Sequence, residues 1–182
     1  MKFYFMAGCL LFTTACSNIQ EQNDTNDSAT KTTLAAPLYD SIHDGLIQTN
    51  SVTPQQIVDY AETLIGIPYK YASANPQQGF DCSGFITYVF NHFNIEVPRS
   101  SVEFTNAYPE VPVDSAKEGD LILFTGTDST EKAVGHMGII VSNSNGSIVF
   151  IHSTSGKANG VTITPLNDYY KSRFVKIVSI FK

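Results

Sequence analysis

Apolar and polar positions change rhythm along this chain. In TPQQIVDYAETLIG (53–66), Ile57, Tyr60, Ala61 and Leu64 recur three and four residues apart, the spacing of one helix face. Thr53 stands as its N-cap and Pro54 at its first helical position, while Gly66 and Pro68 stop it. A polar loop rich in Ser, Asn, Gln, Pro and Gly runs on to Asp81. Phe85, Val89 and His92 or Phe93 mark a second helix from Ser83 to about Phe93. NIEVPRSSVEFTNAY reads as a turn and then a short helix capped by Ser100 or Ser101. After Pro112 the rhythm shortens. DLILF (120–124), VGHMGIIVSN (134–143), SIVFIHST (147–154), GVTITPL (160–166) and RFVKIVSIF (173–181) are short and rich in β-branched residues. SNSNGS between the second and third is a hairpin-turn signal. Helices first and antiparallel strands last predict an α+β domain with its helices on one face of a sheet.

The N-terminus belongs to a different regime. MKFYFMAGCLLFTTAC has one Lys, a short apolar run and small residues before Cys16, the layout of an export signal. The run is too short to span a bilayer. Ending at a cysteine, it resembles a bacterial lipoprotein signal over residues 1–15, with Ala15 in place and Thr13 where Leu is usual. The resemblance implies that Cys16 is acylated and anchors the protein on the periplasmic side of a bacterial membrane; the other reading is an ordinary secretory signal in which the cysteine is accidental. Ser17 after it is compatible with sorting to the outer membrane. Residues 16–50 are expected to be mostly a disordered tether, because SNIQEQNDTNDSATKTT is polar and lacks aromatics. LAAPLYDSIHDGLIQTN (34–50) reads equally as linker or as a short helix against the domain. Residues 51–182 are the folded part.

Composition narrows the partners. Of 182 residues, 42% are hydrophobic, enough for a core in one domain, and only 15% are charged. The formal charge of −6 and the lack of any Lys/Arg run argue against nucleic acid. The protein is expected to be a monomer without a cofactor.

The cysteines carry the chemistry. Cys9 leaves with the signal and Cys16 carries lipid, so the mature domain holds a single thiol, Cys82, which cannot form an internal disulfide. It sits at the start of a helix, where unpaired N–H groups and the dipole favour a thiolate and are expected to lower its pKa. Asp81 beside it also serves as a helix N-cap. A thiol nucleophile needs an imidazole partner. His92 lies ten residues along the same helix, roughly 15 Å away at 1.5 Å per residue, and reads as a surface or packing residue. His136 and His152 differ. His136 shares a strand face with Gly138 and Ile140, and His152 with Ile148 and Phe150. The tight turn makes the two strands neighbours, so both rings can face the same side of the sheet, toward the Cys82 helix. Gly135 and Gly138 would let that helix or a substrate approach the strand. Metal binding is the rival use of one Cys and two His. Zinc favours closely spaced pairs, whereas these residues stand 54 and 16 apart with no fourth ligand in view, and no metal is expected.

Together, GIPYKYASANPQQGFDCSGFITYVF, VPRSS, EGDLILF, VGHMGIIV and FIHSTSG resemble, in order, the NlpC-type family of bacterial cell-wall cysteine peptidases. The resemblance covers about residues 53–182. It implies a papain-like fold in which the nucleophile helix packs on a central antiparallel sheet of about five or six strands. It implies cleavage of peptidoglycan stem peptides, usually between D-glutamate and a diamino acid, by a Cys-His-His triad. Cys82 would form a thioester, His136 would act as base and acid, and His152 would orient His136. Tyr69 of the Pro68-Tyr69 pair would help hold the oxyanion. Asp81 and Ser83 would contact substrate, and Arg99 and Ser100 would serve as groove or helix-start residues. The family often has Gly-Gly where this chain has Ala72-Ser73. Two other readings share these residues: an acyltransferase or amidase on the same scaffold, and a non-catalytic wall-binding lipoprotein that would have no use for an intact Cys82, His136 and His152.

Overall fold

The computed structural model describes residue 49 and residues 51–181 apart from residue 129. The expected signal peptide, the lipidated Cys16 and the tether therefore lie outside the described residues.

Helix α1 spans Pro54–Glu62. Its start is the predicted one: the Thr53 hydroxyl accepts the Gln56 N–H, and the Gln56 side chain accepts the Thr53 N–H at 2.9 Å. It ends before Gly66, because Thr63, Leu64 and Ile65 bond to carbonyls three residues back and tighten the chain into turns. Two short strands, β1 (Ala74–Asn75) and β2 (Gly79–Phe80), form a small antiparallel hairpin in the loop before the cysteine. Helix α2 spans Cys82–His92 and buries Phe85, Ile86, Val89 and Phe90. The predicted short helix after Ser100 is a 3₁₀ segment, Ser101–Thr105, started by the Ser100 N–H on the Glu103 carboxylate.

Strands β3 (Glu110–Val111), β4 (Leu121–Thr125), β5 (Val134–Ser144), β6 (Ser147–Thr154), β7 (Gly160–Pro165) and β8 (Phe174–Val178) make one six-stranded sheet in the order β3-β8-β4-β5-β6-β7. Neighbouring strands are antiparallel. The β5–β6 turn is the predicted one, with Asn145 and Gly146 at φ 53° and 84°, the paired positive values of a type I′ hairpin. A one-turn helix, α3 (Asp168–Lys171), separates β7 from β8.

Each face of the sheet has its own core. On one face α1 and α2 pack through Ile57, Phe85 and Val89 onto Met137, Ile139 and Ile151. On the other, Phe124, Ile140, Phe150 and Ile177 lie under Tyr170 of α3. His92 is exposed and stacks on Tyr60, ring centroids 3.7 Å apart, a packing role as expected.

Candidate active site

Cys82 is the first residue of α2, and Asp81 is its N-cap, taking the Gly84 N–H at 2.6 Å. The helix is seated by a loop: Asp81 N–H bonds the Ser73 carbonyl at 2.9 Å, and Ser153 of β6 bonds the Phe80 carbonyl at 2.7 Å. Arg99 braces the same point. Its guanidinium gives one N–H to each Asp81 carboxylate oxygen, at 3.0 and 2.6 Å, and another contact to Ser83 Oγ at 3.0 Å. The fork geometry matches a carboxylate and fixes the helix start. Asp81, Ser83 and Arg99 thus form one cluster beside the thiol.

The thiol meets β5 at the backbone, donating to the Gly135 carbonyl at 3.8 Å. The β5–β6 ladder has its last pair at Ile139↔Ile151, so β5 is free of β6 at this level. His136 and His152 do share a face, as their positions along the strands predict. It is not the face that α2 covers. Their rings lie with Phe124, Phe150 and Tyr170, and the thiol reaches β5 at the residue before His136. Among the described contacts no hydrogen bond joins Cys82 to the His136 ring. The roles expected of the two glycines also change. A side chain at Gly138 would run into the Phe150 ring at 2.6 Å, and one at Gly135 into Gly126 at 2.7 Å. These glycines admit neighbouring protein rather than a helix or a substrate.

His136 Nε2 and His152 Nδ1 are 2.8 Å apart, and His152 Nε2 is 3.0 Å from the Thr164 hydroxyl. Three polar side chains on adjacent strands are therefore in series. Tyr170 lies against both rings, at 6.0 Å from His136 and 5.4 Å from His152. Thr164 and Tyr170 were not candidates from the sequence. Thr164 could have been found by pairing its strand with β6, since it stands opposite Phe150. Tyr170 follows an Asn167-Asp168 cap signal that marks α3.

The expected lowering of the Cys82 pKa is overturned. Burial pushes the thiol up, with the Asp81 carboxylate acting in the same direction, to about 11. The backbone N–H groups of Ser83, Cys82 and Met137 pull it down, but by less. Burial likewise holds His136 well below its ordinary value, helped by His152 and by the Arg173 charge, and brings His152 to about 4. Both shifts favour the neutral thiol and imidazole at rest. Tyr69 is half-buried, and burial together with the nearby Cys82 and Asp81 charges raises its phenol. The phenol therefore keeps its proton at neutral pH.

A thiol on a helix start, set against an antiparallel sheet with bonded imidazoles, belongs to the papain-like α+β class. The chain matches the NlpC/P60 family over residues 66–179 and is a member of it. It is 35% identical over 123 residues to the gamma-DL-glutamyl hydrolase of Bacillus subtilis (strain 168), covering 66% of this chain and 28% of that protein. It is 31% identical over 121 residues to the murein DD-endopeptidase MepS/murein LD-carboxypeptidase of Escherichia coli (strain K12), covering 65% of this chain and 58% of the relative. The chain thus spans less than two thirds of either relative. Among solved structures, a protein of Staphylococcus aureus subsp. aureus Mu50, described as similar to lipoprotein and of the NLP/P60 family, superposes with a TM-score of 0.61 at 27% identity, over 71% of this chain and 41% of that one.

Proposed function

We propose that this protein is a peptidoglycan endopeptidase that cuts stem peptides between D-glutamate and the diamino acid, using Cys82 as nucleophile, His136 as base and acid, and His152 to orient His136. The series of ring nitrogens from His136 to Thr164 carries this reading. For His136 to accept a proton through Nδ1, its own N–H must sit on Nε2, and His152 Nδ1 stands 2.8 Å away to receive it. His152 then carries its proton on Nε2 and donates to Thr164 Oγ1 at 3.0 Å. One set of tautomers satisfies the whole series and leaves the His136 base free.

The reaction begins from the neutral pair. The Cys82 thiol gives its proton to His136 Nδ1 as sulfur attacks the peptide carbonyl. The Tyr69 hydroxyl and the Cys82 N–H are the donors for the resulting oxyanion. The C–N bond breaks, His136 returns the proton to the leaving amine, and a thioester remains. Water, deprotonated by His136, attacks the thioester, and the released sulfur takes that proton back. The named activities of the relatives, on DL-glutamyl and on murein bonds, support the substrate class.

The test is digestion of purified peptidoglycan by the full chain beside Cys82→Ser, with products identified by mass spectrometry. Fragments ending in D-glutamate are expected from the native chain and none from the variant. A folded native chain that releases no fragments would overturn the proposal in favour of acyl transfer or wall binding.

A further inference from the structure

The β6–β7 turn, β7, α3, Thr127 and Arg173 just before β8 border an open cavity of about 770 Å³ that reaches His136. That volume lies within the range of pockets that take a small ligand or part of a peptide. Its wall includes Lys157, Thr162, Thr164, Tyr169 and Arg173, and none of its lining residues is acidic. In a chain of net charge −6 this is a local inversion of sign.

Arg173 is held without a carboxylate. Arg173 donates to the Tyr169 hydroxyl at 2.7 Å and to the Thr125 carbonyl at 2.6 Å, and lies over the Tyr169 ring at 4.9 Å. Two of its five N–H groups are used in these bonds, and its buried Nε has no partner. Lys157 is exposed on the β6–β7 turn. Neither belongs to an ion pair among the described residues. This contrasts with Arg99, whose guanidinium is taken up by Asp81 on the thiol side of the site.

Position decides which part of a substrate would enter. The acyl residue must lie at Cys82 and its oxyanion donors. The leaving amine must lie at His136, which protonates it. A cavity bordered by His136 and not by Cys82 is therefore on the leaving-group side. We propose that this cavity is a carboxylate subsite, in which Lys157 and Arg173 hold a free carboxylate of the residue released as the amine. The assignment rests on the endopeptidase reading above for the direction of the substrate. A carboxylate seated there would also offset the Arg173 charge that lowers both imidazoles.

Two forms of L-alanyl-γ-D-glutamyl-L-lysine test it, one ending in a carboxylate and one in a carboxamide. Binding is measured calorimetrically on the full chain carrying Cys82→Ala, which cannot turn the peptides over. The acid is expected to bind about tenfold more tightly than the amide, the scale of one charge-assisted hydrogen bond. Adding Lys157→Glu should remove most of that difference, and Lys157→Arg should keep it. Equal affinity for the two peptides, or a preference that survives Lys157→Glu, would overturn the subsite. Cleavage by the native chain is read separately. If it cuts both peptides while Cys82→Ala fails to discriminate, the subsite falls and the endopeptidase stands. If it cuts neither while Cys82→Ala discriminates through Lys157, the carboxylate site stands and the reaction assigned to it falls.

Discussion

Thr164 ends the hydrogen-bonded series of the two imidazoles, and its hydroxyl, 3.0 Å from His152 Nε2, is the acceptor that the proposed tautomer of His152 requires. In the proposed mechanism the His152 Nε2–H is donated to this hydroxyl, and without an acceptor there that N–H would be left unpaired while Nδ1 faces His136 at 2.8 Å. Thr164→Val preserves the branched shape and removes the hydroxyl. Its kcat on a stem peptide is expected to fall about tenfold, the order of one hydrogen bond's net worth. Thr164→Ser should restore it. A Thr164→Val enzyme with native kcat would show that the outer bond does not orient the rings. The residue scale also explains a departure from the family pattern. Ala72 adopts φ 57°, the left-handed region that glycine enters at little cost. The first glycine of the Gly-Gly common at this place thus has a backbone reason. The sequence shows the substitution but not the conformation that gives it meaning.

At the scale of elements, the approach of α2 to its loop depends on a glycine in the Asp81-Cys82-Ser83-Gly84 run. A Cβ at Gly84 would stand 2.1 Å from the Ser73 carbonyl oxygen and 2.9 Å from the Asp81 carboxylate. The first clash is with backbone, so the helix start has to move. Gly84→Ala is expected to destabilise the domain by about 1–3 kcal/mol, as overpacking does, and to lower activity by displacing Cys82. A urea titration and a cleavage assay together check this. Native values in both would mean the loop yields without disturbing the helix. The long elements were legible because each repeats a period several times: α1, α2 and the strands β4 to β8 stand where the patterns put them. Strands β1, β2 and β3 have two residues each, and α3 is a single turn of four. Elements that short contain no period to read. The candidate residues Cys82, His136 and His152 were legible as types and positions. The face on which the histidines lie was not, because a strand's alternation says which residues go together and not what covers them. The direction of the thiol's pKa was not legible either. It depends on depth, and the pull of the helix amides is outweighed by burial that only the packed sheet produces.

For the whole molecule, the buried histidines tie stability to pH. His152 is 0% exposed, and its pKa falls from 6.5 to about 4 on folding because burial and the Arg173 charge disfavour the imidazolium. The unfolded chain therefore binds this proton more readily than the folded one between those two values. Stability is fully present above pH 6.5 and is lost as pH drops toward 4. A shift of that size corresponds to a loss on the order of 3 kcal/mol, and His136, also held well below its ordinary value, acts with the same sign. Against a typical domain stability of roughly 5–15 kcal/mol, this is a large fraction. The same depression keeps His136 neutral at neutral pH, the form the proposed mechanism needs for its base, so activity on the acid side should persist below 6.5 until the fold itself weakens. Urea midpoints of the full chain at pH 7, 5.5 and 4.5 check the linkage, beside a His152→Gln variant. The native midpoint is expected to fall steeply over that range and the variant's to fall less. The variant removes one of the two buried imidazoles that must charge as the chain unfolds in acid. A native midpoint that stays level from pH 7 to 4.5 would mean that the imidazoles charge in place, and that the sheet admits water to the relay.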